Sequence, residues 1–291
     1  MTAVAARHAV SRRRRLAGQV ATAWMLASVL AALVPLAFIL GYVAYKGLGL
    51  LSWSFFTEPE PFDFSEPGGG FWNGIKGTLK LMVVATALAA PAGLLAALYL
   101  AEFGRGRFAT AVRFVTDVMT GVPSIFVGIF VYSLIVLETG HFSAWSGAVA
   151  LAILMLPIVI RGSEEVLKLV PRELREASLA LGVSRWRTVF RIVLPAAASG
   201  LVTALMLAVA RAAGETAPLL FTSFGNRFVT GWSHFDEPDS ALPLLIFRDA
   251  RSAYEPAKQR AWAGALVLIG LVLVLTIAAR TLTERRRRAR A

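Results

Sequence analysis

Arg211 and Glu215 carry the clearest chemistry in this chain, in the stretch Arg211-Ala212-Ala213-Gly214-Glu215-Thr216-Ala217-Pro218-Leu219-Leu220-Phe221-Thr222 that follows a long uncharged run. Four residues apart, they share one helical face and can pair. If the run crosses a membrane, such a charge costs on the order of 2.5–3.5 kcal/mol even on the gentler insertion scale. It is retained either as a static pair that cements helix packing or as part of an anion path. A guanidinium suits a path, because its planar fork of donors matches the oxygens of a tetrahedral oxyanion. Glu215 then holds Arg211 while the path is empty and yields it when the anion arrives. Gly214 and Pro218 weaken the helix and free backbone groups that a polar path can satisfy. Arg161, at the end of Leu156-Pro157-Ile158-Val159-Ile160, is the second candidate anion ligand; its other reading is a basic residue marking the edge of a span. Asp117 is spaced to pair with Arg113, four residues earlier, and reads as helix-end electrostatics.

Other chemistries are not provided for. There is no cysteine, and the three histidines (His8, His141, His234) are not at ligand spacing, so neither a metal nor a thiolate site is expected. No Gly-rich phosphate loop is present, so the chain has no nucleotide site of its own. No nucleophile, base and metal set suggests an enzyme, and no cofactor is implied.

The elements that must position these residues are membrane helices. Only 16% of residues are charged and 57% are hydrophobic, with a mean hydropathy of +0.65. About a quarter of a soluble domain would be charged. Six uncharged stretches are long enough to cross a hydrocarbon core: Leu16–Tyr45, Leu81–Ala101, Val118–Leu137, Thr139–Ile160, Ile192–Ala210 and Ala261–Ala279. The fifth has the option of running on past Arg211. The expected fold is therefore all-α, a polytopic membrane protein with six transmembrane helices.

Charge placement sets the orientation. Segments 1–19, 101–113, 161–191 and 280–291 hold 21 of the 30 Lys and Arg residues, which places both termini in the cytoplasm. The first apolar run is about twice a signal-peptide core, so it reads as an uncleaved span. The net charge of +12 belongs to helix ends facing lipid headgroups, not to a nucleic-acid surface. The expected organisation is a basic N-terminal segment at 1–19, a transmembrane domain at 20–282 and a basic tail at 283–291. The outer loop 46–77 is rich in Pro and Gly, flanked by Trp53, Phe55, Phe56, Phe71 and Trp72. Those aromatics suit either an interfacial belt or a docking surface for an external partner.

One cytoplasmic loop is patterned as a helix–Gly–helix hairpin, 172–190. Pro171 suits a first turn, Glu173 and Glu176 the positive end, and Gly182 the stop. Ser184 suits the cap of a second helix with Trp186, Val189 and Phe190 on one face. Within it, Glu176-Ala177-Ser178-x3-Gly182-x9-Ile192-x-Leu194-Pro195 resembles the coupling loop of binding-protein-dependent ABC importer permeases, with Ser178 where that pattern has a second Ala. An amphipathic helix lying on lipid is the alternative for this stretch.

The stretch Arg211–Thr222 is similar to a segment of phosphate ABC permeases of the PstA type. So are Gly121-Val122-Pro123-Ser124-Ile125-Phe126-Val127-Gly128, Leu156–Arg161, Leu242-Pro243 with Ile246-Phe247, and Ala261-Trp262-Ala263-Gly264. The likeness covers roughly residues 70–285. It implies a type I ABC importer (MetI-like) fold in a bacterial inner membrane. It further implies an ATPase homodimer on the cytoplasmic face, a second homologous permease, an extracytoplasmic phosphate-binding protein and phosphate as substrate. Arg211, Glu215 and Arg161 would line the path, and Glu176, Ala177, Ser178 and Gly182 would couple to the ATPase. The physics alone leaves open a permease for sulfate or molybdate, or an ion-coupled secondary transporter, although no inverted repeat is found.

Overall fold

The computed structural model describes residues 12–288, with side chains through 285, and among them every regular element is helical. Residues 1–11 and 289–291, part of the basic segments expected at the two ends, lie outside the described residues. The chain divides into two compact units, one ending at Lys46 and one beginning at Gly47. The described part of the first is α1 (Arg12–Gly47), in which Arg12–Arg15 already form the opening turn. Its apolar side chains lie all round the helix, as a span surrounded by lipid or other spans requires.

The second unit holds α2 (Trp72–Phe103), α3 (Gly106–Gly121), α4 (Ser124–Thr139), α5 (Ala144–Lys168), α6 (Arg172–Ala180), α7 (Arg185–Ala213), α8 (Ala217–Thr222), α9 (Leu242–Ala250) and α10 (Glu255–Arg288). Among the described residues of the chain, five helices are long and apolar enough to cross a membrane, six if the bent pair α3–α4 is one span. The third expected span, Val118–Leu137, is therefore not one helix. The chain turns by 103° between α3 and α4. Pro123 forces the residue before it out of helical geometry, and Val122 is extended at φ −73°, ψ 127°. The other spans overrun their uncharged windows at one or both ends, because polar residues in the first and last turns do not stop a helix.

Small residues let α2, α5 and α7 approach closely, the usual solution where lipid supplies no hydrophobic drive. Ala85 and Ala89 of α2, Ala148 and Ala152 of α5, and Ala208 and Ala212 of α7 form one buried core. The α5–α7 contact is antiparallel. A Cβ on Gly162 would lie 2.8 Å from the Ala204 Cβ, and one on Gly200 would lie 2.5 Å from Val166 Cγ1. Phe55 and Phe71 are buried in a further cluster with Leu242, Leu245 and Ala263. They are thus core, whereas Trp53 and Phe56 are exposed. The aromatic reading of loop 46–77 splits accordingly.

Lys80 ties the end of the bundle near α9 to the long loop before it. Fully buried in α2, its ammonium meets Asp239 at 2.8 Å and donates to the carbonyls of His234 (2.6 Å) and Gly231 (3.1 Å). Gly77, one turn away, lets the loop come this close: a Cβ there would sit 1.8 Å from the Ser240 carbonyl oxygen. Breaking a buried pair from one side strands the other charge, at a cost of about 3–5 kcal/mol. Lys80→Met is therefore expected to lower the thermal midpoint of the purified protein sharply, and Lys80→Met with Asp239→Leu to recover part of the loss. A double variant as unstable as the sum of the singles would contradict this coupling.

Candidate functional site

Arg211 occupies the last turn of α7, and the helix ends at Ala213 with Gly214 as its cap. Glu215 lies in the three-residue link to α8, whose first turn contains Pro218. The expected helix break is therefore real, and the fifth span does not run straight on. Arg211 Nε is 3.8 Å from Glu215 Oε1, an ion pair too long for a hydrogen bond. The Arg211 side chain is 59% exposed and that of Glu215 only 16%. Pro195, Ser199, Thr203, Leu207 and Arg211 are all exposed at four-residue spacing along α7. That row carries hydroxyls between its apolar members, and Thr203 bonds back to the Ser199 carbonyl.

Arg161 is engaged differently. Its Nε donates to Asp117 Oδ1 at 2.8 Å, and its Nη1 reaches Glu164 at 3.4 Å. Arg113 does not pair with Asp117 as expected. It donates to Glu164 at 2.8 Å and to the Leu100 carbonyl at 2.9 Å, because α3 lies against α5 and presents Arg113 to the buried carboxylate. Lys168 adds a third cation at 3.1 Å. Glu164 is fully buried and central to this cluster. Sequence reasoning passed over it, although its position three residues after Arg161 was the available signal.

The two arginines do not form one compact site. The Gly162–Ala204 and Gly200–Val166 contacts set Leu205 opposite Arg161. Arg211 is six residues further on, about 9 Å along the axis. Arg161 is held by Asp117 and Glu164, and Arg211 by Glu215 alone among the described residues.

At the other end of α7 the expected hairpin is present. Gly182 has φ +75°, and its N–H and that of Val183 return to the carbonyls of Leu179 and Ser178. This left-handed stop suits glycine. Glu176 and Ala177 are exposed, while Ser178 is buried with its hydroxyl 2.8 Å from that of Thr188. A small side chain is needed there, because α6 folds directly onto the start of α7. Two expectations are corrected. Ser184 stands at the cap position but its hydroxyl caps nothing. Trp186 and Phe190 stack on the exposed face, whereas Val189 turns into the core, since the second helix continues as α7 through a π turn at Val189–Val193.

The hairpin is clamped to the end of α2 by contacts that sequence did not reveal. Arg175 bridges to Glu102 at 2.7 Å and donates to the Leu167 carbonyl at 2.9 Å. Trp186 stacks on Phe103 with centroids 4.7 Å apart, and the Arg185 guanidinium lies 4.9 Å from the same ring. At the opposite end, beside α9, Arg227, Arg248 and Arg260 gather around buried Glu60 and Asp249. Burial pushes the Asp249 carboxyl above its ordinary range and the Arg248 guanidinium below its own.

A helical bundle with a clamped hairpin at one end and a charged break at the other defines a transporter's membrane subunit of the MetI-like fold. The structure resembles a chain of a bacterial alginate ABC transporter, with a TM-score of 0.62, 15% identity and coverage of 94% of this chain and 98% of that one. It also resembles a chain of the MetNI methionine ABC transporter, with a TM-score of 0.57, 18% identity and coverage of 75% and 96%. The family model for the binding-protein-dependent transport system inner membrane component matches residues 89–288. The "Phosphate transport system permease protein PstA" of Yersinia pestis is 43% identical over 276 residues, covering 94% of this chain and 92% of that protein. That of Haemophilus influenzae is 44% identical over 251 residues, covering 86% and 88%. "PstA 1" of Mycobacterium tuberculosis strain H37Rv is 40% identical, covering 95% and 91%. The chain belongs to the binding-protein-dependent transport system inner membrane components, among the PstA permeases, and is a multi-pass inner membrane protein.

Proposed function

We propose that this chain is the permease subunit that conducts inorganic phosphate in an ATP-driven importer. The observation that carries this reading is an arginine at a helix break, Arg211, in a chain about 40% identical to proteins named as phosphate transport permeases. Arg211 and Glu215 form one station of the path, and Arg161 a second station about 9 Å away along the helices. The ion is passed between them in sequence, with Asp117 holding Arg161 when no phosphate is present.

Energy arrives from outside the chain, which itself catalyses no reaction. The hairpin 172–190 docks an ATPase homodimer on the cytoplasmic face, with Glu176, Ala177, Ser178 and Gly182 shaping its seat. From Arg185 to Arg211 the chain is one continuous helix of about 39 Å. A push on the hairpin is therefore delivered directly to the Arg211–Glu215 break, and the Glu102–Arg175 bridge carries it to α2 as well. The π turns at Tyr99–Phe103 and Val189–Val193 lie where these two helices leave the hairpin, as hinges would. A second homologous permease completes the path, and an extracytoplasmic phosphate-binding protein delivers the ion. Both termini are cytoplasmic, with the membrane domain at 20–282 between basic segments at 1–19 and 283–291.

The test is uptake of radiolabelled phosphate into vesicles reconstituted with both permeases, the ATPase and the binding protein. ATP-dependent accumulation is expected for phosphate and not for sulfate or molybdate. No ATP-dependent phosphate accumulation, or equal accumulation of sulfate, would overturn the assignment.

A further inference from the structure

The end of the bundle away from the hairpin holds a cavity of about 540 Å³ between α8 and α9. Its apolar walls include Phe224, Leu244 and Phe247, and three guanidiniums line it: Arg227, Arg248 and Arg251. The wall begins at Leu220, five residues beyond Glu215, so the cavity adjoins the Arg211 break in the chain.

The charges here do not balance. Arg227 and Arg248 share the buried carboxylate of Glu60, and Asp249 lies between Arg248 (3.5 Å) and Arg260 (3.4 Å). Three guanidiniums thus face two carboxylates, and Arg251 adds a fourth cation nearby. Arg251 meets no carboxylate among the described residues and rests over the Phe247 ring at 5.0 Å. Arg227 and Arg248 remain 29% and 37% exposed, although Nε and Nη2 of Arg248 are buried and Nη1 of Arg227 donates to the Phe62 carbonyl.

The backbone beside them is strained. Phe224 has φ +59°, the only non-glycine residue in the left-handed region among those described, and Gly225 follows at φ +94°. A bulky side chain persists in that conformation only where its surroundings over-determine it, and such strain gathers at binding sites. Here Phe224 is fixed by stacking on Phe142 at 4.8 Å and by its N–H to the Leu219 carbonyl at 2.8 Å. The result is a fixed aromatic wall in the cavity that the arginines also line.

We propose that this cavity is a further oxyanion site, an antechamber that takes a tetrahedral anion such as phosphate before it reaches Arg211. The inference rests on the importer reading above. Apolar walls strengthen the attraction of a guanidinium for an anion by lowering the local dielectric. Glu60 offsets part of that attraction, so the site holds the ion briefly and releases it onward. Arg251 is the principal ligand, because its donors are uncommitted, and Arg248 is the second.

The experiment is equilibrium dialysis of radiolabelled inorganic phosphate against the assembled importer in nanodiscs, without binding protein. Arg211→Ala is present throughout, to remove the nearer station, and Arg161 is unchanged in both arms of the comparison. Phosphate binding is expected to survive in that background, and adding Arg251→Gln is expected to weaken it about tenfold, the effect of one charge-assisted hydrogen bond. Arg251→Lys should retain part of it. Arg251 is exposed and outside any ion pair among the described residues, so an unchanged melting curve will show that the fold is intact. Phosphate binding absent from the Arg211→Ala background, or unaffected by Arg251→Gln, overturns the proposal. So does a variant that binds phosphate normally but no longer associates with the binding protein, which would make the cavity a protein-docking face. Failure of the importer reading itself would show instead as absent uptake by the unmodified complex, a measurement independent of this one.

Discussion

Arg211→Ala is expected to abolish phosphate uptake, by at least about a hundredfold, while the complex still assembles. The magnitude follows from the ligand chemistry: a guanidinium gives phosphate two charge-assisted hydrogen bonds, each worth about 1.5–3 kcal/mol. The cost to stability is expected to be small. Arg211 is 59% exposed, and its pair with Glu215 is 3.8 Å long. Exposed pairs of this kind contribute about 0–1 kcal/mol. Loss of uptake therefore cannot be ascribed to unfolding, and co-purification with the ATPase will show this directly. Arg211→Lys should recover only part of the activity, since an ammonium lacks the planar fork. Uptake by Arg211→Ala at the normal rate would remove Arg211 from the path and leave the pair a structural one.

Gly182→Pro is expected to prevent the ATPase from associating. The residue sits at φ +75°, and proline is confined to about −65°, so the reversal between α6 and α7 cannot form. Crowding is not the cause, because a Cβ at Gly182 would meet nothing within 4 Å. This yields a sharp control. Gly182→Asn, which tolerates the left-handed region, should keep association and uptake near normal. The readout is co-purification of the ATPase with the tagged permease, followed by phosphate-dependent ATP hydrolysis in vesicles. If Gly182→Pro assembles and transports, the hairpin is not the coupling element. The prediction draws on the clamp as well as the turn: with Glu102, Phe103, Arg175 and Trp186 holding α6 against α2, a misformed reversal cannot be absorbed locally.

Much of this was legible from residue order. Uncharged runs mark membrane helices because the hydrocarbon core penalises every unpaired charge, and that rule acts on any chain before it folds. The stop at Gly182 was legible because the backbone freedom of glycine is a local property, and Gly214 with Pro218 marked the helix after Arg211 as weak. Which carboxylate each arginine meets was not legible in the same way. Arg113 had Asp117 one turn away on its own helix, yet it meets Glu164, fifty-one residues on. Residue order does not pair Lys80, beside the second uncharged stretch, with Asp239; the loop carrying Asp239 folds over Gly77 to reach it.

The sequence by itself determined that the chain is a helical membrane protein, that a hairpin turns at Gly182, and that a charged pair stands at the break after α7. Only the tertiary structure decided that Arg161 is held by Asp117 and Glu164, and that three guanidiniums gather around two carboxylates beside α9. The division has one physical cause. Transfer from water to lipid and backbone preference act on a residue and its immediate neighbours. Ion pairing in a low-dielectric interior depends on distances that exist only once distant helices are packed.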